Sequence, residues 1–232
     1  TQAQCIRARA LISAWRAARV SKYNHARDYA GKLPARYVLV ADQTRGDASI
    51  RCGMADESGF RRMLAAALAE HPGCTVLLKV HPEVMSGRKQ GHFDLAALAR
   101  NPRVRLLGED VHPALLIEHA EAIYAVTSQI GFEGLLWGKR VRTFGMPFYA
   151  GWGLTDDELP APERRKPVSL EELVHAALVE YPRYIDPETG KRVIQALMLM
   201  IKLDVAGLKR AYDGAAASRQ CCCNQKPRRG SE

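Results

Sequence analysis

The sequence lacks a hydrophobic run long enough to span a bilayer. Its longest apolar stretch, VIQALMLMIKLDVAGL at 193–208, is interrupted by Lys202 and Asp204. The opening residues 1–15 also lack a basic segment followed by an apolar core, which argues against a secretory signal peptide. The sequence does not begin with Met, so a fragment of a longer protein is one expectation.

Several motifs of common enzymes are also missing. There is no Gly-rich dinucleotide fingerprint and no Walker loop, which disfavours NAD and ATP chemistry. Ser128 does not follow the Gly of a nucleophile elbow. Cys5, Cys52 and Cys74 have neither metal-ligand nor disulfide-framework spacing. We therefore expect no cofactor and no metal, and a reducing, cytoplasmic location.

Basic residues are in excess, with a net charge of +9 and a pI near 9.4. Such a charge favours anionic partners. The basic clusters at 88–92, 163–166 and 226–229 are not interleaved with aromatic residues, so we do not expect a nucleic acid partner. An anionic membrane surface and a phosphorylated substrate both remain open.

Strand and helix patterns alternate along the chain. Apolar runs predict strands at 35–42, 75–82, 104–110, 122–128 and 140–145. Amphipathic patterns predict helices at 3–19, 56–73, 92–102, 112–120 and 129–138. This alternation is typical of an α/β fold with a Rossmann-like, doubly wound parallel sheet and flanking helices. The predicted organisation is a helical lead-in at 1–34, the sheet domain at 35–195, a C-terminal helix at 196–218 and a disordered tail at 219–232.

Polar residues follow four of the predicted strands, in the segments DQTRGD, KVHPE, TSQIGFE and FGMPFYAGWG. In doubly wound sheets, ligands bind at the carboxyl ends of the strands. In TSQIGFE, Thr127 or Ser128 can cap a helix that begins near Gln129 and binds an anion, or can serve only as a cap. Glu133, one turn later, would face a sugar hydroxyl or solvent.

The other strand ends supply a base, a cation and two carboxylates. Lys79 and His81 share a strand face, and His81 can donate to a phosphate, act as an acid, or simply bond a neighbouring loop. Asp42 and Asp47 lie on one loop, where Gly46 lets the chain turn. Asp47 is either a reactive carboxylate near an anomeric carbon or the acceptor of an Asx-turn.

The segment TFGMPFYAGWGLTDDELP at 143–160 places four aromatic residues among glycines and prolines. Gly and Pro keep it out of regular structure. Its rings either wall off water beside a binding site or plug the loop from below.

Five strings resemble one family, the capsule polysaccharide Kdo transferases of the KpsC type. They are KYN (22–24), VLVADQTRGDASI (38–50), LLKVHPEVMSGRKQGH (77–92), YAVTSQIGFEGLLWGKRVRTFGMPFYAGWGLTDD (124–157) and YPRYIDPETGK (181–191). The resemblance covers roughly residues 20–195. It implies the nucleotide-binding half of a GT-B glycosyltransferase, a CMP-Kdo donor, and transfer with retention of the anomeric configuration.

The resemblance also implies roles for individual residues. His81 and Pro82 match a His-Pro pair that contacts the CMP phosphate, and Thr127 and Ser128 fall where the donor phosphate or carboxylate is held. Asp47 is the candidate nucleophile of a double displacement, with Asp42 as the alternative. The other residues expected to bind substrate are Gln43, Lys79, Glu83, Gln129, Gly131, Glu133, Tyr149 and Gly151.

The same resemblance implies partners and a location. The acceptor would be a lipid-linked glycan, reached by peripheral binding to the anionic inner membrane from the cytoplasm, together with other capsule assembly proteins. Because the match covers one half of a module, one expectation is that the chain alone binds donor poorly and is inactive. The alternative is a non-catalytic binding or assembly module that keeps the fold.

Overall fold

A computed structural model describes residues 1–182 of the chain. Its strands are β1 (Arg27–Asp28), β2 (Tyr37–Ala41), β3 (Thr75–Lys79), β4 (Val104–Leu107), β5 (Val111–His112), β6 (Ala122–Ala125), β7 (Arg140–Thr143) and β8 (Asp156–Asp157). Six of them form one sheet in the order β4-β3-β2-β6-β7-β8, and every pair in it is parallel. The two short strands β1 and β5 pair separately, also in parallel.

The helices are α1 (Gln2–Ala17), α2 (Ala48–Cys52), α3 (Glu57–Glu70), α4 (Pro82–Met85), α5 (Leu95–Leu98), α6 (Ala114–His119), α7 (Gln129–Leu136) and α8 (Leu170–His175), and a π-helical turn follows at Ala176–Glu180. Most begin at a side chain that accepts a backbone amide of the first turn, as polar N-caps do. These caps are Thr1, Asp47, Asp56, His81, Asp94, Ser128 and Ser169.

The sheet is buried on both faces, as parallel sheets are. Every residue of β2 is buried. Alternate residues of that strand point to opposite faces, and Val38 and Val40 share a core with Phe60 and Met63 of α3. This two-sided burial explains why the strands appear in the sequence as continuous apolar runs rather than alternating ones.

The strand order reverses between β2 and β6. From β2 the chain proceeds outward through β3 and β4, then returns to place β6, β7 and β8 on the other side. The neighbouring carboxyl ends at this switch point are Asp42, after β2, and Thr127, after β6. Ligands of open α/β sheets bind in the crevice at such a point.

The predicted strands and helices are present with shorter bounds, and two differences matter. The helix expected at 92–102 is reduced to the single turn of α5. The loops expected after β2 and β3 instead contain the short helices α2 and α4, because Asp47 and His81 act as their N-caps.

The first compact unit runs from Thr1 to Ala177, so it includes the residues 1–34 that were predicted as a lead-in. Residues from Leu178 onward group into a second unit, described only as far as Pro182. The predicted boundaries at 195 and 218 lie outside the described residues. No helix within residues 1–182 is both long enough and apolar enough to cross a membrane.

Candidate functional site

A small cavity opens at the carboxyl ends of β2, β3 and β6. It is lined by Tyr23, Asp42, Lys79, Val80, His81, Pro82, Ser128 and Ile130. A larger depression of about 340 Å³ lies elsewhere, and most of its lining is apolar, including Leu64, Leu68 and Phe93. We place the candidate site at the smaller cavity, because the charged and polar side chains converge there at the switch point.

His81 ends up with a defined tautomer. Its Nδ1 accepts the amide of Glu83 at 3.2 Å and so caps α4. The other ring nitrogen, Nε2, must then hold the proton of the neutral ring. Burial lowers the pKa of His81, the Glu83 carboxylate opposes this, and Lys89, Lys79 and Lys22 add to it. At neutral pH the ring therefore presents an Nε2–H donor.

Lys79 is the buried cation of the cavity. It is only 6% exposed, and burial lowers its pKa, while the charge of Asp110 opposes the shift. Its Nζ lies 5.8 Å from the centre of the Tyr23 ring and 3.5 Å from the Glu109 carbonyl oxygen. An ammonium group with so few partners is suited to binding an anion.

Asp42 is the buried carboxylate of the cavity, 8% exposed. Neither of its oxygens has a hydrogen bond of regular geometry within residues 1–182. Burial raises the pKa of Asp42 to about 6, although the nearby amides of Gln43 and His92 lower it in part. It is also tightly enclosed, since a Cβ added at Gly91 would lie 2.8 Å from its Oδ2.

Gln43, after β2, and Thr127, after β6, are hydrogen-bonded to each other. The Gln43 Oε1 accepts the Thr127 amide at 3.0 Å, and its Nε2 donates to the Thr127 Oγ1 at 3.0 Å. Both residues are buried. Their polar atoms bond each other and Ser49, so they support the site from within the fold, and direct substrate binding by them stays a prediction.

Asp47 is not on a free loop, as the sequence suggested, but caps α2. Its Oδ1 accepts the Ser49 amide at 2.9 Å, and its Oδ2 accepts from the Gln43 Nε2 at 3.2 Å. Burial opposes ionisation, but these hydrogen bonds and the charge of Lys22 lower its pKa. Gly46, with φ +80°, makes the preceding turn. Asp47 is thus an exposed, ionised and oriented carboxylate.

Hydrogen bonds within the fold fix the position of the amino end of α7. The Ser128 Oγ accepts the Ile130 amide at 3.3 Å, while the Tyr149 hydroxyl donates to the Ser128 carbonyl at 2.5 Å. A Cβ at Gly131 would collide with that hydroxyl. Tyr149 is fully buried and Gly131 is also buried, and both support the helix. Their contact with substrate stays a prediction. Gln129 is exposed at its first turn.

The aromatic loop is mainly a packed support. Phe144 is buried, and the half-exposed Phe148 contacts Phe132, with ring centres 4.9 Å apart. The Trp152 Nε1 donates to the Phe148 carbonyl at 2.7 Å. Gly151, predicted to bind substrate, is buried and donates its amide to Asp157 at 2.7 Å instead. Of the rings that were expected to shield a ligand, Phe148 is exposed enough to do so.

Two acidic residues of the predicted set have local partners. Glu83 forms an ion pair with Lys89 at 2.7 Å, which lowers the pKa of Glu83. Glu133 is 1% exposed, so the alternative that it faces solvent is wrong, while a role toward a sugar hydroxyl stays a prediction. Its Oε1 instead accepts the backbone amide of Lys22 at 3.3 Å.

The sequence alone assigned no role to Lys22 or Tyr23, which lie in the segment that Glu133 contacts. Tyr23 lines the cavity, and the Lys22 Nζ lies 5.7 Å from the centre of the Tyr23 ring. Both belong to the string KYN, which carried part of the family resemblance without suggesting a role. The available signal was that this short polar string matched far from any predicted strand end.

One further cluster within residues 1–182 has donor atoms suited to a metal. Atoms of His71, Cys74 and Glu121 lie within 4.8 Å of one another. However, both Glu121 oxygens already accept from the Arg36 guanidinium, at 2.7 and 3.2 Å. Burial and the neighbouring Glu121 raise the pKa of the Cys74 thiol, which disfavours the thiolate that binds metals. We assign no metal to this cluster.

The chain is similar to proteins of capsule and lipopolysaccharide synthesis. The family described as capsule polysaccharide biosynthesis protein matches residues 2–184. The capsule polysaccharide modification protein LipA of Neisseria meningitidis serogroup A is 44% identical over 184 residues, covering 74% of this chain and 26% of LipA. The lipopolysaccharide-processing protein LpsZ of Rhizobium meliloti is 36% identical, covering 88% of this chain and 47% of LpsZ. The chain therefore spans less than half the length of these relatives.

Two solved structures share the fold. The KpsC beta Kdo 2,4 transferase of Thermosulfurimonas dismutans is 45% identical with a TM-score of 0.74, over 85% of this chain and 64% of that one. The beta Kdo 2,7 transferase of the same KpsC is 26% identical with a TM-score of 0.62, over 85% and 60%. The predicted fold class, an α/β fold with a Rossmann-like parallel sheet and flanking helices, is confirmed.

Proposed function

The chain belongs to the family of capsule polysaccharide biosynthesis proteins, and from this premise we propose that it is the donor-binding half of a retaining β-Kdo transferase that uses CMP-Kdo. The observation that carries the proposal is the cavity at the switch point, where Lys79, His81 and Ser128 meet. Support comes from the two similar KpsC structures, a beta Kdo 2,4 transferase and a beta Kdo 2,7 transferase.

The cavity offers three kinds of group to a phosphodiester. The Lys79 ammonium supplies charge, the His81 Nε2–H supplies a neutral donor, and the amino end of α7 supplies backbone amides beside Ser128. Charge-assisted hydrogen bonds of this kind are the strong ones. An anion at this position would lie at the carboxyl edge of the sheet, with Asp47 and Asp42 as the nearby carboxylates.

Retention requires two displacements at the anomeric carbon. In the proposed sequence the Asp47 carboxylate attacks that carbon and the bond to the CMP phosphate breaks, with CMP leaving as the anion. An acceptor hydroxyl then attacks the anomeric carbon of the glycosyl–Asp47 ester, its proton passes to solvent water, and the bond to the Asp47 oxygen breaks to free the carboxylate. The exposed Phe148 ring would help to keep water from that ester.

The first test is binding of CMP to the chain by titration calorimetry. We expect wild type to bind, and His81→Ala to weaken binding about tenfold or more, because a donor to a charged phosphate is lost. His119→Ala is the matched control, since His119 is exposed at the end of α6 and is not among the cavity residues. Absence of CMP binding by folded wild type would contradict the proposal, as would unchanged affinity of a folded His81→Ala variant.

A lipid-linked glycan acceptor would bring the chain to an anionic cytoplasmic membrane surface. Arg164 and Lys166 are exposed. Arg165, which the basic cluster also includes, is not equivalent: its guanidinium donates to the Pro147 and Ala150 carbonyls and lies 5.3 Å from the Trp152 ring centre. The cation pair available to headgroups is therefore Arg164 and Lys166.

We expect the chain to sediment with anionic vesicles at low salt and to be released at high salt. Each basic residue near such a surface contributes about 1 kcal/mol, so Arg164→Gln with Lys166→Gln should weaken binding by about tenfold or more. Neutral vesicles of the same size are the control. Equal sedimentation at low and high salt would contradict this electrostatic account.

The second candidate is a binding or assembly module of the capsule machinery that keeps the fold without catalysis. Such a module could still bind CMP, so binding alone does not separate the two. The reading frame that flanks this chain does: a second Rossmann-like domain encoded there favours the transferase. Transfer of Kdo to an acceptor by the intact protein would exclude the non-catalytic alternative.

A further inference from the structure

A tight polar turn at Ser21–Asn24 approaches the cavity from outside the sheet. The Ser21 amide donates to the Asn24 Oδ1 at 2.7 Å, and the Tyr23 amide donates to the Ser21 Oγ at 3.2 Å. Within this turn, Tyr23 faces the cavity and Lys22 is exposed. The turn is thus a defined structure that presents one aromatic ring and one ammonium group.

The turn is fixed to the site by Glu133. This carboxylate is buried in α7, five residues after the cap Ser128, and it accepts the Lys22 amide. Burial raises the pKa of Glu133 to about 7, while bonds from Ser21 and Lys22 lower it in part. A buried carboxylate is costly unless it is hydrogen-bonded, so its bonding to this turn couples the turn to the helix that begins at the cavity.

The Lys22 ammonium lies among the reactive groups of the site. Its Nζ is 5.7 Å from the Tyr23 ring centre, and Lys79 is 5.8 Å from the same ring. Lys22 is close enough to Asp47 and His81 to contribute to the lowered pKa of both, after burial and hydrogen bonding for Asp47 and after burial and Glu83 for His81. The site therefore has two cations, one buried and one exposed.

We propose that Lys22 binds the carboxylate of the donor sugar and selects a sugar acid over a neutral sugar, and that Glu133 positions Lys22. This inference rests on the proposed function. In CMP-Kdo the carboxylate and the leaving phosphate are attached to the same anomeric carbon. A nucleophile must face that carbon, so a cation near both the nucleophile and the phosphate site is within reach of the carboxylate.

Lys79 and Lys22 differ in burial, and this difference suits them to different anionic groups of the donor. Lys79 lines the cavity beside His81 and Pro82, where the phosphate would bind. Lys22 is exposed beside Tyr23 and keeps a hydrated, flexible ammonium. The Tyr23 ring is near both cations, and its face attracts each of them. The two ammonium groups are thus held at separate positions, where each can bind a different anionic group of one ligand.

The test compares CMP and CMP-Kdo as ligands of the full chain by titration calorimetry. We expect Lys22→Gln to weaken CMP-Kdo binding about tenfold or more and to change CMP binding less than about twofold, because the lost ion pair involves the sugar carboxylate. Lys32→Gln is the control: it removes the same charge from an exposed lysine before β2, at the other end of that strand.

Each outcome separates the inference from the proposed function. If wild type binds CMP but Lys22→Gln weakens both ligands equally, or neither, the assignment of Lys22 to the carboxylate is wrong while the proposed function stands. If wild type does not bind CMP, the proposed function itself fails. A positioning role for Glu133 predicts that Glu133→Ala, which removes the acceptor of the Lys22 amide, also loses affinity for CMP-Kdo selectively. Glu133→Gln, which keeps an acceptor oxygen, and Glu121→Ala, just before the amino end of β6, should not.

Discussion

Asp47→Asn is expected to reduce Kdo transfer by the intact protein by at least about a thousandfold, because a neutral amide cannot form the glycosyl ester of a double displacement. The fold should survive the change. Asn is as good an N-cap as Asp, and the bond from the Ser49 amide to this side chain at 2.9 Å can be kept. A loss of activity would then reflect chemistry rather than unfolding.

The decisive measurement is the position of the covalent sugar. Mass spectrometry of the protein incubated with CMP-Kdo should find the adduct on the peptide that contains residues 38–50, and should find none in Asp47→Asn. Asp56→Asn is the matched control, because Asp56 also caps a helix through its carboxylate but interacts with Ser58, Gly59 and Arg62 rather than with Gln43 and Lys22 of the site. An adduct on Asp42, or on any other carboxylate, would overturn the assignment.

The two aspartates suit different roles because their surroundings differ. Asp47 is exposed and has a lowered pKa, so it is ionised and reachable by a sugar. Asp42 lines the cavity where the phosphate would bind, but its buried carboxylate has a pKa of about 6. A nucleophile must be ionised and must face the anomeric carbon, and we therefore keep Asp47 as the nucleophile and Asp42 as the alternative.

The fold was predictable because local and global signals agree in it. The run YVLVA of β2 is buried throughout, and an apolar run of that length after Pro34 is typical of a central parallel strand. The position of the site followed from the same signals, since the carboxyl ends of the strands carry Asp42, His81 and Ser128. Lys79, His81, Pro82 and Ser128 do line the cavity.

The burial of the other predicted residues was not predictable, because it depends on contacts between distant segments. Tyr149 is 21 positions from Ser128, and Glu133 is 111 positions from Lys22. No periodicity in the sequence links such pairs. A polar residue beside a strand end can face a ligand or bond to the end of a neighbouring strand, and Gln43 does the second. The family resemblance identified these strings but did not distinguish residues that contact a ligand from residues that support the fold around it.

Asp42→Asn is expected to stabilise the fold at neutral pH. The pKa of Asp42 is raised from 3.8 to about 6 in the folded chain, so folding favours its protonated form. The contribution of Asp42 to the free energy of unfolding of wild type is therefore highest below pH 3.8, where Asp42 is neutral. It falls as the pH rises through about 6, where Asp42 ionises in the folded chain. A shift of about two pKa units corresponds to about 3 kcal/mol, and Asn removes the charge that causes this loss.

Urea unfolding of both proteins between pH 4 and pH 7.5 measures this difference. The two free energies of unfolding should lie close together near pH 4 and diverge as the pH rises through 6, with Asp42→Asn the more stable by up to about 3 kcal/mol. Asp56→Asn should behave in the opposite sense, because hydrogen bonds from Ser58 lower the pKa of Asp56 and folding favours its charged form. If the difference in the free energy of unfolding between wild type and Asp42→Asn did not change with pH, the pKa of Asp42 would not be raised by folding. A buried carboxylate that destabilises the fold and has no hydrogen bond of regular geometry within residues 1–182 is the kind of group that function retains. A stabilised Asp42→Asn variant with impaired CMP binding would therefore tie that cost to the donor site.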